Sequence, residues 1–311
     1  VSHGNPQALS ATTRYGAILG HPVRHSASPA MHNAAFAALG LDWRYLAFEV
    51  HPDDLRSALA GARTMGFIGL NLTVPHKLIA VEMMDVLDES ARAWGAVNTV
   101  RFEARDEKGE WQPLHHFPDS VPREVRAHGF NTDADGLLQS LRSDLEVELA
   151  GAKVLVLGAG GAGRVAALKL AEQGVSELFL VNRTADKAAS LGQEVGSRYP
   201  KVKVSTNLPK LAVDLLVNAT SLGLKPGDGM PLNTKEFDLR NARAVCDMIY
   251  RPAETPLLKA AKAAGCRTTN GLGMLLYQGV RAQEIWTGRK PPVEIMREAA
   301  ISNIYGSGHN I

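Results

Sequence analysis

Charge of one sign, cysteine and long apolar runs are all scarce in this chain of 311 residues. With 34 basic and 32 acidic side chains the formal net charge is only +2, which leaves no electrostatic footprint for nucleic acid. The two cysteines, Cys246 and Cys266, fall in segments that read as strands, and no metal-ligand spacing surrounds them. They read as small core residues in a reducing compartment, and a disulfide framework is excluded. No run approaches the ~18 apolar residues of a membrane span, and Val1–Thr13 is polar without an apolar signal region, so a cytoplasmic protein is expected. Neither a low-complexity tract nor an internal repeat beyond a βα alternation is visible. The remaining composition, 45% hydrophobic and 21% charged, is that of a globular protein long enough for two domains.

The most informative stretch is Gly151–Thr184. Ala152–Leu157 is a short apolar run rich in β-branched residues, and Gly158-Ala159-Gly160-Gly161-Ala162-Gly163 follows it. Arg164–Gln173 then carries apolar residues at helical spacing, with Gly174 as a stop. Strand, glycine turn and helix together predict a dinucleotide site. Gly158 permits the tight turn, Gly160 admits a pyrophosphate, and Gly163 lets helix and strand pack closely. Free N–H groups and the positive end of the helix dipole favour the phosphate charge. At the tip of the next strand, Glu177–Val181, an NAD site would present an acid, but here stands Asn182-Arg183-Thr184. Glu177 is at the wrong end of that strand. Arg183 can pair with a 2′-phosphate and stack on adenine, and Lys187 can add charge one turn later, so NADP is expected over NAD.

Upstream, Arg14–Phe102 alternates strands and helices and forms an α/β unit of its own. Ser28-Pro29 reads as an N-cap with proline at the first helical position. Ser26 and Ser28 beside that helix start suit a small carboxylate; equally, they can be a turn residue and a cap. Glu103–His128 is polar, holds three prolines and shows no sustained period, so it is expected to be a solvated, partly mobile excursion. His115, His116 and His128 within it share no ligand spacing with a carboxylate or cysteine, and no metal site is expected. After the glycine motif strands are expected at Val202–Ser205, Asp214–Asn218 and Ala244–Ile249, with ligand-facing loops at Asn218–Gly223 and Tyr250. Two final helices, from Gly271 to about Trp286 and over Val293–Ile304, are placed on the first domain.

Several ordered blocks resemble the shikimate dehydrogenase family. They are His25-Ser26-Ala27-Ser28-Pro29 with His32-Asn33, Asn71–Lys77, Gly95–Val100, Gly129–Asp133 with Gly136, and Gly158–Gly163. Asn182-Arg183-Thr184, Asn218–Ser221, Asp247–Tyr250 and Asn270–Met274 with Gln278 continue the series. The resemblance spans about residues 14 to 300. It implies a substrate domain over 1–131 and 273–311 and a Rossmann-type NADP-binding domain over 132–272. The implied reaction is the NADPH-dependent, reversible reduction of 3-dehydroshikimate to shikimate, on the way to chorismate and aromatic amino acids. By the same likeness Ser26 and Ser28 hold the substrate carboxylate with Tyr250 nearby, and Thr73, Asn98, Asp133 and Gln278 hold ring hydroxyls. Lys77 is the implied catalytic lysine and Asp133 its partner, brought together at a cleft between the domains. Read without the resemblance, the two are a surface lysine and a helix cap. The implied cofactor site takes in Gly158, Ala159, Gly160, Gly161, Ala162, Asn182, Arg183, Thr184, Lys187, Thr220, Met248, Gly271 and Met274. A monomer or homodimer acting on a small molecule is expected. The link over Glu103–His128 is longer than the family's short hairpin. Two alternatives stand beside this reading: a quinate/shikimate dehydrogenase using NAD, and a catalytically silent NADP-binding regulator.

Overall fold

The computed structural model describes residues 9–306, so residues 1–8 of the polar N-terminal stretch lie outside the described residues. Two compact units divide the chain: Val1–Thr132 with Gln278–Ile311, and Asp133–Tyr277. No helix among the described residues is long and apolar enough to cross a membrane.

In the first unit, β1 (Arg14–Gly20), α1 (Ser28–Ala38), β2 (Trp43–Glu49), α2 (Leu55–Thr64) and β3 (Gly69–Leu72) make a parallel βαβαβ run. Next come α3 (His76–Ile79), β4 (Val86–Leu87), α4 (Glu89–Trp94), β5 (Thr99–Arg105), β6 (Trp111–Pro113) and β7 (Val125–Phe130). The sheet order is β2-β1-β3-β5-β7-β4, with β6 paired to β5. Because β5 runs antiparallel to β3 and β7, its first residue lies at the edge where β1, β3 and β7 finish. On α1 the buried residues Ser28, Met31, His32, Ala35 and Phe36 fall three and four apart, one helical stripe against the sheet. At the free edge of the sheet, the Asn33 carboxamide binds both the N–H and the C=O of Tyr45 in β2, at 2.8 Å each.

The second unit starts with α5 (Asp133–Leu145) and continues with β8 (Lys153–Leu157), α6 (Gly161–Glu172), β9 (Glu177–Val181), α7 (Ala185–Arg198) and β10 (Lys203–Ser205). Then follow β11 (Val213–Asn218), β12 (Ala242–Asp247), α8 (Pro256–Ala263) and β13 (Arg267–Thr269). All neighbours are parallel in the order β10-β9-β8-β11-β12-β13, the doubly wound Rossmann arrangement. Its ligand crevice falls where the order reverses, beyond the carboxyl ends of β8 and β11. Both cysteines are buried and free; Cys246 is in β12, whereas Cys266 stands just before β13 and not in it. The chain returns to the first unit within α9 (Leu272–Thr287), and α10 (Val293–Tyr305) packs on α1. Trp286 of α9 is fully buried and its indole donates to the Val100 carbonyl at 2.9 Å. Only glycine fits at position 69 beneath it, since a Cβ there would stand 2.1 Å from the indole nitrogen.

Four further sequence expectations need correction. Glu103–His128 is no solvated excursion: β5 continues to Arg105, β6 folds back on it, and β7 pairs with it from Val125. Val100, Phe102, Ala104 and Ala127 enter the core while Arg101, Glu103, Arg126 and His128 meet on the other face. Its polar composition has two sources: Glu103, Arg126 and His128 pair around one buried carboxylate, while residues 107–110 and 118–121, between the strands, are exposed as expected. Ser28 is not the N-cap; it is the first residue of α1, and the Ser26 hydroxyl accepts its N–H at 3.3 Å. α6 begins at Gly161, not Arg164, because the glycines themselves adopt its first turn. β12 ends at Asp247, where the Asp247 carboxylate takes the Ile249 N–H and turns the chain, so Met248 and Ile249 belong to the loop.

Glu103 is 1% exposed and receives Arg101, Arg126 at 2.7 Å and the His128 ring at 3.1 Å. Burial alone would raise its pKa; the hydrogen bonds from His128, Arg101 and Arg126 overcome this and hold it at about 2. A depressed carboxylate pKa contributes stability that is complete above the ordinary value of 4.5 and is lost as pH falls from there toward 2. Glu103→Gln should therefore lower unfolding free energy by about 3 kcal/mol at pH 7, since it leaves the half-buried Arg101 and Arg126 without their buried counter-charge. The difference from the unchanged chain should shrink in urea titrations taken between pH 4.5 and pH 3. A constant difference across that range would rule out the charge cluster as its source.

Candidate active site

The first unit gathers its candidate residues at one sheet edge through main-chain hydrogen bonds. Thr73 N–H binds the Leu19 carbonyl at 3.0 Å, His21 N–H binds the Val74 carbonyl at 3.1 Å, and Val97 N–H binds the Lys77 carbonyl at 2.8 Å. Thus the loops holding Ser26, Thr73, Lys77 and Asn98 start from adjacent strand ends. A Cβ on Gly20 would stand 2.5 Å from the Thr73 methyl, so this glycine allows the two loops their close approach. Ser28 is buried, Ser26, Thr73, Lys77 and Gln278 are half-buried, and Asn98 is 1% exposed.

A buried polar network fixes that edge. The Asn98 Oδ1 accepts the Thr132 N–H at 2.8 Å and the Thr99 hydroxyl at 3.0 Å, and its Nδ2 donates to Thr132 Oγ1 at 3.0 Å. Asn71 donates to the Asn98 carbonyl and to Thr99 Oγ1 at 3.1 and 3.0 Å, and accepts the Tyr45 hydroxyl at 2.6 Å. Burial raises the Tyr45 pKa well above its ordinary value, so the phenol stays a donor. On α1, burial lowers His32 to about 3, and this neutral ring accepts from Gln283 Nε2 at 3.1 Å. Burial likewise lowers His76, leaving an uncharged imidazole next to Lys77 in the chain. Tyr45, Thr99 and Thr132 carry no motif signal of their own; only the position of Thr99 and Thr132 beside Asn98 and Asp133 within the quoted blocks points to them.

In the second unit, Asp133 opens α5 and is buried, and Tyr250 is half-buried in the loop after β12, where burial raises its phenol pKa. The glycine turn fits a pyrophosphate. Gly158 has φ of +103°, and a Cβ there would press on Ala219 O and the Thr220 methyl at 3.0 Å. A Cβ on Gly163 would stand 2.0 Å from the Gly158 carbonyl, whereas at Gly160 and Gly161 it would meet nothing within 4 Å. So two glycines close the turn and two leave its outer side open. No side chain caps α6, which leaves its first-turn N–H groups facing that space. Asn182 Oδ1 takes the Ala159 N–H at 3.0 Å and ties the end of β9 to the turn. Glu177, at the far end of β9, is paired with Lys153 at 3.7 Å. Thr220 Oγ1 donates to Asn218, whose amide donates to the fully buried Asp247 at 2.9 Å. Gly271 lies against Met248, a Cβ on it reaching within 2.1 Å of the Met248 carbonyl, and half-buried Met274 is three residues further on.

Beside Ala159 lies a pocket of about 330 Å³, also lined by Arg164, Asp186, Lys187, Ser190, Leu191 and Glu194. Arg164 is paired with Glu194 at 2.6 Å, and Arg198 joins the same carboxylate at 2.9 Å. The Arg164 hydrogen bond is the main cause of a lowered Glu194 pKa. Arg183, Thr184 and Lys187 are exposed at the start of α7. Asp186, Ser190 and Glu194 escape a reading by motif, although their spacing of four marks one helix face. Among the described residues no group of three or more His, Cys, Asp or Glu is arranged to hold a metal ion.

Comparison with known proteins completes the assignment. Residues 18–100 match the shikimate dehydrogenase substrate binding domain, 140–223 match shikimate / quinate 5-dehydrogenase, and 271–301 match the shikimate 5′-dehydrogenase C-terminal domain. A shikimate dehydrogenase (NADP(+)) of Methanopyrus kandleri is 40% identical over 309 residues, 96% of this chain and 98% of the relative. A crystal structure of a shikimate dehydrogenase in complex with NADP+ superposes with a TM-score of 0.81 at 35% identity, covering 96% of this chain and 98% of that one. The Thermus thermophilus shikimate 5-dehydrogenase, solved with NADP(H) and shikimate, gives 0.77 at 38% identity, over 93% of this chain and 99% of that one. A lysine loop and an asparagine locked at one sheet edge, a glycine turn shaped for pyrophosphate, and likeness over nearly the whole length lead to one conclusion: this chain belongs to the shikimate dehydrogenase family.

Proposed function

We propose that this chain catalyses the reversible, NADPH-dependent reduction of 3-dehydroshikimate to shikimate, as an oxidoreductase acting on a CH–OH group. The observation that carries the reading is the convergence of the Ser26, Thr73, Lys77 and Asn98 loops on one sheet edge. Ser26 and Ser28 hold the substrate carboxylate with two hydroxyls, and Tyr250 adds a third. Thr73, Asn98, Asp133 and Gln278 hold the ring hydroxyls. Asn98 suits that task because its carboxamide is already oriented by Thr99 and Thr132 and costs little to order.

Gly158–Ala162, Thr220, Met248, Gly271 and Met274 cradle the cofactor, and Asn182, Arg183, Thr184 and Lys187 receive its adenosine phosphate. When bound, NADPH supplies a hydride to the carbonyl carbon. The substrate oxygen then carries the charge, and the Lys77 ammonium stabilises it and gives it a proton; in the reverse direction the neutral amine accepts that proton. Asp133 orients the Lys77 amine and shares its proton. Residues 1–131 with 273–311 serve as the substrate domain and 132–272 as the cofactor domain.

Two measurements test this. NADPH oxidation with 3-dehydroshikimate should proceed with a higher kcat/KM than NADH oxidation, and quinate should be a poor substrate in the reverse direction; cofactor binding without turnover would mean a silent regulator instead. Lys77→Ala should lower kcat by on the order of 10²–10⁴ with KM changed by no more than a few fold, since a proton donor acts in the transition state. A near-normal kcat would remove the lysine from the chemistry.

A further inference from the structure

The adenosine end of the proposed cofactor site contains an acid that the cations there do not account for. Four of the pocket's lining residues are charged: Arg164, Asp186, Lys187 and Glu194. Arg164 and Glu194 are joined by two hydrogen bonds, at 2.6 and 2.8 Å, and so satisfy each other. Asp186 and Lys187 are exposed in the first turn of α7, and neither has an ion pair or a side-chain hydrogen bond among the described residues. Consecutive side chains on a helix point about 100° apart, so the lysine does not neutralise the carboxylate beside it. The pocket therefore offers an incoming ribose one uncommitted cation and one uncommitted anion, with Arg183 exposed just before them.

We propose that Asp186 sets how strongly this chain discriminates between NADP and NAD. Its carboxylate accepts a hydrogen bond from a ribose 2′-hydroxyl and repels a phosphate on the same oxygen. A carboxylate at the tip of the second strand would exclude NADP; here that tip is Asn182, pinned to the glycine turn. Asp186 stands four residues later, on the helix, where it moderates the preference created by Arg183 and Lys187 without reversing it. The same charge also sits favourably at the start of α7, which is a stability effect and is blind to the cofactor. The inference rests on the reading of this pocket as the adenosine end of the NADP(H) site.

The test is direct calorimetric titration of NADP+ and NAD+ into the unchanged chain, Asp186→Asn, Asp186→Ala and Arg183→Ala, at low and high salt. Removing the charge should tighten NADP+ about tenfold at low salt in both Asp186 variants, and the gain should shrink at high salt. NAD+ should weaken by about threefold in Asp186→Ala, which loses the acceptor, and stay within error in Asp186→Asn, which keeps one. Arg183→Ala should weaken NADP+ alone. If Arg183→Ala shifts the NAD+/NADP+ ratio and neither Asp186 variant does, the role of Asp186 is overturned while the cofactor site stands. If Arg183→Ala leaves the ratio unmoved, the pocket is not the adenosine site and both readings fall together.

Discussion

The first unit's candidate site depends on one side chain amide. Asn98 joins the end of β7 to the start of β5 through Thr132, and Asn71 extends the link to β3 and to Tyr45 of β2. Each member is buried, so each of its hydrogen bonds replaces one to water that folding removed. Such a network tolerates little displacement: losing one partner strands the others in an apolar setting. That intolerance makes it suitable as a base for binding groups, because an amide fixed before the ligand arrives loses little freedom when it binds.

The second unit uses a different constraint. There, the absence of side chains shapes the site: Gly158 and Gly163 close the turn on itself, and Gly160 and Gly161 leave its outer side open. Charge is then arranged around it by pairing. Glu194 fixes Arg164 and Arg198, just as Glu103 fixes Arg101 and Arg126 in the first unit. In both places one carboxylate holds two guanidinium groups, and its pKa falls as a result. The difference is exposure. Glu103 is sealed inside and serves stability, while Glu194 is at a pocket wall and, by taking both arginines, leaves Asp186 and Lys187 without an ion pair among the described residues.

Much of this is legible in the amino-acid sequence. The β8–glycine–α6 run shows because it combines two periodicities with a glycine pattern, and the parallel sheet order follows from alternating strands and helices. Glu103–His128 misleads for a physical reason. Hydropathy counts a charged residue as solvated, whereas Arg101, Glu103, Arg126 and His128 are partners on and across neighbouring strands, a relation that is invisible without the pairing. Val100, Phe102, Ala104 and, later, Ala127 do keep the alternation of a strand, but the charges between them hide it. At Ser28 the error is smaller: two hydroxyls stand two residues apart beside the helix start, and it is Ser26 that takes a main-chain N–H, that of Ser28. Tyr45 is out of reach altogether, since its role exists only once β2, β1 and β3 lie side by side.

The Asn33 carboxamide that grips Tyr45 has an implication for how this molecule behaves in a crowded solution. An outermost strand normally displays donors and acceptors that any extended peptide can zip onto, a common start of aggregation. In β2 that template is interrupted midway, because both outward-pointing groups of Tyr45 already have a permanent mate on the chain's own helix. A stray ribbon approaching this rim would have to break two good bonds to gain two, and so has little reason to stay.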